Sequence, residues 1–515
     1  MHFRYFLILC LALVLKAAAI IAVIFYSGIG LGPDEAQYWT WSQALDWGYY
    51  SKPPGIAWEI WLGTSLFGHT PLGVRSMALL IGTLIPLLVY KLAKNCRLSP
   101  EGCFWAAILM AFTPLGILSS LLAITDGGMV LFWTAACTYM ARKIMSRSLP
   151  NYLLLGLLIG AGAIFKWPIY TLWVFIFGSW FYFPYLRSWK IGLGITLSLL
   201  ALLPSLYWNA THEWATFRHV SATVSGGHGK PPTGALFAGN MWEFTGSQAA
   251  LVSPILFVLL VIAFWTIFRK NRNVPAGVLF CTGLSAVILC LGILASIFMK
   301  IQGNWAIFVY PTAFVGLSWF ACEYAWKTKK WLIAGVALSV ILCSIVFAIP
   351  KIQSENLLEK YPISYKINPF RHNVGWNSLD PLLLQVGYDP SNDFLIADKY
   401  QTVSELSFYA PQQKLAYFLN LQGSRKNQFS FWPGLDSIPE KKRGFFIIVE
   451  NAPQLFNTQE ELIEKYQKEL SGYFNHVRFV GVYPLFFAYE KMVKGALIFE
   501  CLGYNGNSPP ETELY

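Results

Sequence analysis

Charged side chains are scarce in this chain. Lys, Arg, Asp and Glu make up 13% of its 515 residues, against about 25% in a typical soluble domain. That leaves too little polar surface to cover a water-soluble body of this size. Nucleotide-cradling signatures are missing too, since neither a P-loop nor a GxGxxG pattern occurs. None of the nine cysteines falls in a CxxC or Cys/His metal spacing, and beyond residue 350 only Cys501 remains, which excludes an internal disulfide there. Internal repeats and low-complexity tracts are absent. The formal net charge of +11 would suit a nucleic-acid partner if the basic residues formed one patch. Instead they sit in short clusters between apolar runs, as in the cytoplasmic loops of membrane proteins.

Hydrophobic runs of spanning length are abundant. They recur at about 5–26, 72–93, 102–122, 128–145, 152–165, 168–186, 190–208, 249–268, 275–298, 305–326 and 331–349, which predicts about eleven transmembrane helices. The first run is longer than the core of a signal peptide and shows no clear cleavage site, so it reads as a retained anchor. Basic clusters at Lys91/Lys94/Arg97, Arg142/Lys143/Arg147, Arg187/Lys190, Arg269/Lys270/Arg272 and Lys327/Lys329/Lys330 follow every second run. This parity requires residues 152–186 to cross twice. It predicts a cytoplasmic N-terminus, and it places loops 27–71 and 209–248 and everything after about 350 outside, in a bacterial periplasm or its equivalent. Residues 1–350 thus form the membrane domain and 351–515 a small α/β domain. In the latter, Phe394–Ala397 and Phe445–Val449 read as strands and Thr458–Tyr473, with Glu461 three residues after Thr458, as a capped helix.

Loop 27–71 is the most informative segment. Asp34 and Glu35 stand just beyond the first run among aromatics, and Tyr49-Tyr50-Ser51-Lys52-Pro53-Pro54 follows. A carboxylate there suits three roles: general base on an acceptor hydroxyl, metal ligand, or cap of the next helix. Asp126, in Thr125-Asp126-Gly127 between two runs, is either a functional acid with a partner or another helix cap. Lys52, Arg75, Lys166, Lys230 and Lys300 share the expected outer side, where Lys and Arg supply charge-assisted hydrogen bonds to a phosphate headgroup or simply snorkel. His228 and Lys230 lie in a glycine-rich stretch suited to a flap. A divalent metal on His212, Glu213 and His219 stays open, although their spacing matches no strong motif.

The order of these residues resembles the PMT-like glycosyltransferases, which include the protein O-mannosyltransferases and the bacterial aminoarabinose transferase of lipid A. The resemblance runs through Asp34-Glu35, Tyr49-x-x-Lys52-Pro-Pro, Arg75, Asp126, Glu243-Phe244, Gln248, Ser253-Pro254, Gln302-Gly303-Asn304-Trp305, Tyr310-Pro311 and Asp398-Lys399-Tyr400. It is most specific over 33–128. It implies a GT-C fold and inverting transfer of one sugar from a polyprenyl-phosphate donor to an acceptor outside the cytoplasm: lipid A or lipopolysaccharide, another glycan, or a protein. Carried over by position, Asp34 is the base, Asp126 the second acid and Lys52 the lysine of the Lys-Pro-Pro motif; Glu35 is a further candidate catalytic acid. Lys52, Arg75 and Lys300 meet the donor phosphate, and Tyr50, His228, Lys230, Asn304 and Tyr310 are flap or substrate contacts. Where the aminoarabinose enzyme has Glu before the lysine this chain has Ser51, which weighs against that enzyme's zinc site and sugar. A lipid or sugar transporter is the main alternative, but the two halves show no inverted repeat. An inactive receptor is the third reading.

Overall fold

A computed structural model of the chain describes residues 2–224, 238–270, 273–438 and 442–515; His228, Lys230 and Arg272 lie outside the described residues. Each of the eleven expected runs contains a helix. Six helices are long and apolar enough to cross a membrane, and eight spans result if each of two bent pairs counts as one. The chain is a multi-pass membrane protein. The three runs beyond these eight hold Asp126–Met145, with charged residues at both ends, and the shorter apolar helices Tyr152–Ala163 and Trp167–Ser179.

The run expected at 249–268 is revised. Helices Met241–Val252 and Pro254–Arg269 meet at an angle of 102°, because Ser253 takes a left-handed backbone (φ 84°) before Pro254. Proline disfavours an α conformation in the residue before it and opens a new helix readily. Only the second helix therefore continues the apolar run.

Loop 27–71 folds into two helices, Pro33–Gln43 and Gly55–Phe67. Pro33 opens the first of them, and Glu35 Oε2 reaches back to accept the Gly32 N–H at 3.0 Å. The capping role considered for Asp34 thus belongs to Glu35, one residue on.

Residues after 350 form a five-stranded sheet in the order β2-β1-β3-β5-β4. Its strands are β1 Phe394–Ala397, β2 Tyr417–Phe418, β3 Gly444–Asn451, β4 Phe474–Ala488 and β5 Lys491–Tyr504. β1 runs parallel to β2 and β3, while β3/β5 and β4/β5 are antiparallel. β1 and β3 fall where the sequence places them, and helix Gln459–Leu470 lies within the expected capped helix. The β4–β5 hairpin turns through Tyr489 and Glu490, both left-handed (φ 51° and 61°), the backbone of a tight primed turn. Its tip is seated on the end of helix Lys329–Ser354, with Tyr489 N–H donating to Gln353 O at 3.1 Å and Glu490 N–H to Asn356 Oδ1 at 3.1 Å.

The sheet domain and loop 27–71 share one core. Leu31, Ala36, Trp39 and Ile60 pack in a single cluster with Leu379, Val403, Leu406 and Ile498. Helix Tyr400–Tyr409 lies on helix Pro33–Gln43, and the Leu31 N–H donates to the Tyr409 hydroxyl at 2.6 Å. Gly30 makes this approach possible: a Cβ there would lie 2.6 Å from both Asn373 O and Tyr409 Oη. Gly30→Ala is therefore expected to destabilise the protein by about 1–3 kcal/mol through overpacking, read as a lower melting temperature in detergent.

Candidate active site

Three separate segments converge on the end of the bundle that carries the sheet domain. Asp34 occupies the first turn of Pro33–Gln43 with its side chain exposed. Asp126 opens helix Asp126–Met145, is 4% exposed, and accepts a hydrogen bond from Lys166 Nζ at 2.7 Å. Lys166 follows Phe165, whose ring packs on Gly128 so tightly that a Cβ there would sit 2.4 Å away. The Lys-Pro-Pro segment is tied to the same place, since the Gly55 N–H donates to Ile164 O at 2.9 Å. Lys52 is thereby brought into the field of Asp126, Asp34 and Lys166.

Charge and burial act on each group. Burial pushes the Asp34 carboxyl above its ordinary range; Glu35 adds to this, while Lys52 and Arg425 oppose it. Although exposed, Asp34 sits in a concave, protein-walled place where solvation is incomplete. Burial likewise pushes the Lys52 ammonium down, with Lys166 acting in the same direction and Asp126 and Asp34 opposing. Tyr38, one helical turn beyond Asp34, is 6% exposed; burial and then the charges of Asp34 and Asp126 hold its hydroxyl well above the usual range. Asp34, Lys52 and Asp126 thus share one electrostatic cluster, as their sequence context implies.

Other expectations change. Arg75 is fully buried and donates to both oxygens of Glu35, Nε to Oε1 at 2.9 Å and Nη2 to Oε2 at 2.7 Å. It also bonds the carbonyls of Ile29 and Gly30, and Glu35 Oε1 accepts the Ala123 N–H at 3.0 Å. These two residues hold the loop to the bundle, so neither is free for phosphate or proton transfer. Lys300 is exposed, and no described ion pair or hydrogen bond ties it to the cluster. Tyr310 is buried in the bundle, its hydroxyl donating to Gln248 Oε1 at 2.8 Å; the neighbouring Gln248 Nε2 bonds Gly303 O at 2.9 Å. Tyr310 therefore packs the bent Met241–Val252 helix against the Gly303–Val309 turn rather than facing a substrate, and Asn304 is a half-buried residue of that turn.

The candidate metal set also separates. His212 stacks on Trp208, Glu213 pairs with Lys426 at 2.7 Å, and His219 accepts from Arg425 Nη1 at 2.8 Å. Among the described residues no three His, Cys, Asp or Glu side chains gather to hold a metal. Tyr50 does join the site. Its N–H donates to Gln428 Oε1 at 2.7 Å and its ring lies 5.0 Å from that of His219.

Sequence reasoning missed the contribution of the sheet domain. Asp34 borders a cavity of about 590 Å³ lined also by His372, Trp376, Lys399, Tyr400 and Lys494. Lys494 Nζ stands 4.1 Å from the Trp376 ring centroid, and burial pushes its ammonium down to about 8, opposed by Glu405. Glu405 is fully buried, with neither carboxyl oxygen hydrogen-bonded, and burial raises it well above the carboxylate range. A raised acid favours the folded state most below its unfolded value and loses that advantage as pH rises toward its folded one. Glu405→Gln is therefore expected to raise the melting temperature at pH 8 and leave it unchanged at pH 4.

The family described as dolichyl-phosphate-mannose-protein mannosyltransferase matches residues 51–208, the segment that holds Lys52, Arg75, Asp126 and Lys166. Lipid A galacturonosyltransferase RgtD from Rhizobium johnstonii is 29% identical over 292 residues; the match takes in 56% of this chain and 59% of the relative's length. ArnT from Cupriavidus metallidurans, in the apo state and bound to undecaprenyl phosphate, superimposes with a TM-score of 0.61 in both cases. Identity to these structures is 12% and 13%, over 94% of this chain and 97% of ArnT. The chain thus has a GT-C fold like that of ArnT, and over residues 51–208 it is similar to the mannosyltransferase family. Its GT-C fold covers both parts of the molecule, including the sheet domain that supplies Tyr400 and Arg425 to the site.

Proposed function

We propose that the chain transfers a single sugar, with inversion, from a polyprenyl-phosphate donor to a hydroxyl of a glycolipid acceptor outside the cytoplasm. The observation that carries this reading is the meeting of Asp34, Lys52 and Asp126, from three separate segments, beside a cavity at one end of a membrane bundle. The polyprenyl tail lies against the bundle and its phosphate meets Lys52. Asp34 takes the acceptor proton as the hydroxyl oxygen bonds to the anomeric carbon. The anomeric carbon–phosphate oxygen bond breaks, and its electron pair leaves with the polyprenyl phosphate, whose charge Lys52 stabilises. Asp126 holds Lys166 beside Lys52 and so sets the local field.

The spacing of the basic clusters supports a site on the non-cytoplasmic side, in a bacterium the periplasmic face of the inner membrane. A relative that acts on lipid A and a fold neighbour that binds undecaprenyl phosphate favour a lipid-linked donor and a glycolipid acceptor.

The test is direct: purified protein, an undecaprenyl-phosphate-linked sugar and lipid A are combined, and the acceptor is weighed by mass spectrometry. A gain of one sugar residue is expected. Lipid movement between leaflets without that gain would favour the transporter. In the same assay Lys52→Met should raise the donor KM by roughly 10- to 100-fold, the worth of one charge-assisted hydrogen bond to phosphate.

A further inference from the structure

Another cavity lies at the end of the bundle remote from Asp34. Helix Pro71–Asn95 starts beside the buried Arg75–Glu35 pair and carries the chain about 30 Å from Arg75 to that far end. Its last turns present Leu84, Leu87, Leu88, Lys91 and Lys94 to a cavity of about 860 Å³. Those positions follow the helical period, so apolar and basic side chains share one stripe of the helix. Helix His2–Tyr26 supplies Phe3 and Phe6, and helix Asp126–Met145 supplies Leu131. The Phe6 ring meets the buried Tyr90 ring edge to face, with centroids 5.5 Å apart. The Tyr90 hydroxyl donates to His2 O at 3.3 Å, which ties the two helices together along the cavity.

The lining changes character along the helix axis. From Leu84 to Lys94 the helix rises about 15 Å, half the hydrocarbon thickness of a bilayer. Leucine and phenylalanine line the deep part, and Lys91 and Lys94 stand exposed at the mouth. Among the described residues neither lysine makes an ion pair, and no carboxylate lines the cavity. The acids just beyond this helix end are engaged elsewhere. Glu101 pairs with Lys329 at 2.7 Å, and Glu323 accepts the Ser99 N–H at 2.7 Å. Membrane orientation alone accounts for two exposed lysines. It does not account for a concave apolar slot beneath them, one leaflet deep, where water would be held at a cost. An acyl chain fills such a slot, and a phosphate meets both lysines through charge-assisted hydrogen bonds. We propose that this cavity binds an anionic phospholipid in the leaflet opposite the catalytic site. Its phosphate meets Lys91 and Lys94, and one acyl chain lies against Phe6, Leu84 and Leu87. A zwitterionic headgroup carries its own cation beside the phosphate and gains less from the pair.

The experiment titrates the detergent-purified, delipidated full chain and reads bound lipid by native mass spectrometry. No sugar transfer is involved, so its outcome is separate from that of the activity proposed above. The probes are dioleoyl phosphatidylglycerol, dioleoyl phosphatidylcholine and undecaprenyl phosphate. For the first bound lipid the wild type is expected to prefer phosphatidylglycerol over phosphatidylcholine by roughly 10- to 30-fold. The double variant Lys91→Gln/Lys94→Gln should lose most of that preference; both side chains are exposed, so the fold should hold. Arg269→Gln/Lys270→Gln removes two charges from another basic cluster and should keep the preference. Leu87→Trp narrows the slot, spares both lysines and should weaken phosphatidylglycerol. Equal affinity of the wild type for the two phospholipids, or the same loss in the Arg269/Lys270 variant, overturns the proposal. Unchanged binding in Leu87→Trp would leave surface charge as the whole attraction, which also overturns it. So would a Lys91/Lys94 variant that loses undecaprenyl phosphate while keeping phosphatidylglycerol, since the cavity would then hold the donor's carrier.

Discussion

Asp34→Asn is expected to lower transfer by roughly 100- to 10,000-fold, the usual contribution of a positioned general base, while donor binding is retained. The amide keeps the shape of the carboxylate but cannot take the acceptor proton. The helix start does not depend on it, because Glu35 supplies the cap. The pH profile gives a second reading of the same residue. Asp34 acts only when deprotonated, and its carboxyl is raised by burial, so kcat/KM should rise with pH through a limb above that of an ordinary aspartate. Lys52 opposes that raise. Lys52→Met should therefore shift the limb to higher pH as well as weaken donor binding. Unaltered transfer in Asp34→Asn would place the base elsewhere.

Arg75→Leu has the other large expected effect, and it falls on stability. Removing the guanidinium strands the Glu35 carboxylate in a site 2% exposed, and loss of one partner of a buried pair costs about 3–5 kcal/mol. The same change removes the hydrogen bonds to the carbonyls of Ile29 and Gly30, which hold the start of the first-loop helix. Poor expression and a lowered melting temperature should follow. Replacing Glu35 with Leu in the same protein should restore part of the loss, because no uncompensated charge remains. A phosphate-binding role would give a different pattern, a raised donor KM in a protein of normal stability.

The membrane helices were legible because apolar runs of spanning length have few other uses. Loop 27–71 stood out because two adjacent acids, a lysine and paired prolines follow an apolar run there among aromatics. Choice of partner was harder to read. Asp34 and Glu35 are adjacent and chemically alike, yet one opens to a cavity and the other is locked to Arg75, forty positions away along the chain. That choice is made by three-dimensional packing. Arg425 was hidden for a related reason: Gly423-Ser424-Arg425-Lys426-Asn427 has the composition of an ordinary solvated loop. Strands β4 and β5 escaped notice because their turn is Tyr489-Glu490 rather than the Asn-Gly or Asp-Gly that announces a tight hairpin. At Ser253 the apolar run gave no sign of a bend, and only the following proline hinted at one.

The seam between loop 27–71 and the sheet domain also constrains how such proteins can be recombined. A cut at residue 350 would look natural on a hydropathy plot. It would nevertheless strip Leu31, Trp39 and Ile60 of the side chains that cover them and remove the hydroxyl that Leu31 binds. A chimera that exchanges the C-terminal sheet with a relative's should therefore exchange helix Pro33–Gln43 as well, so that the base and its neighbours travel as one heritable unit.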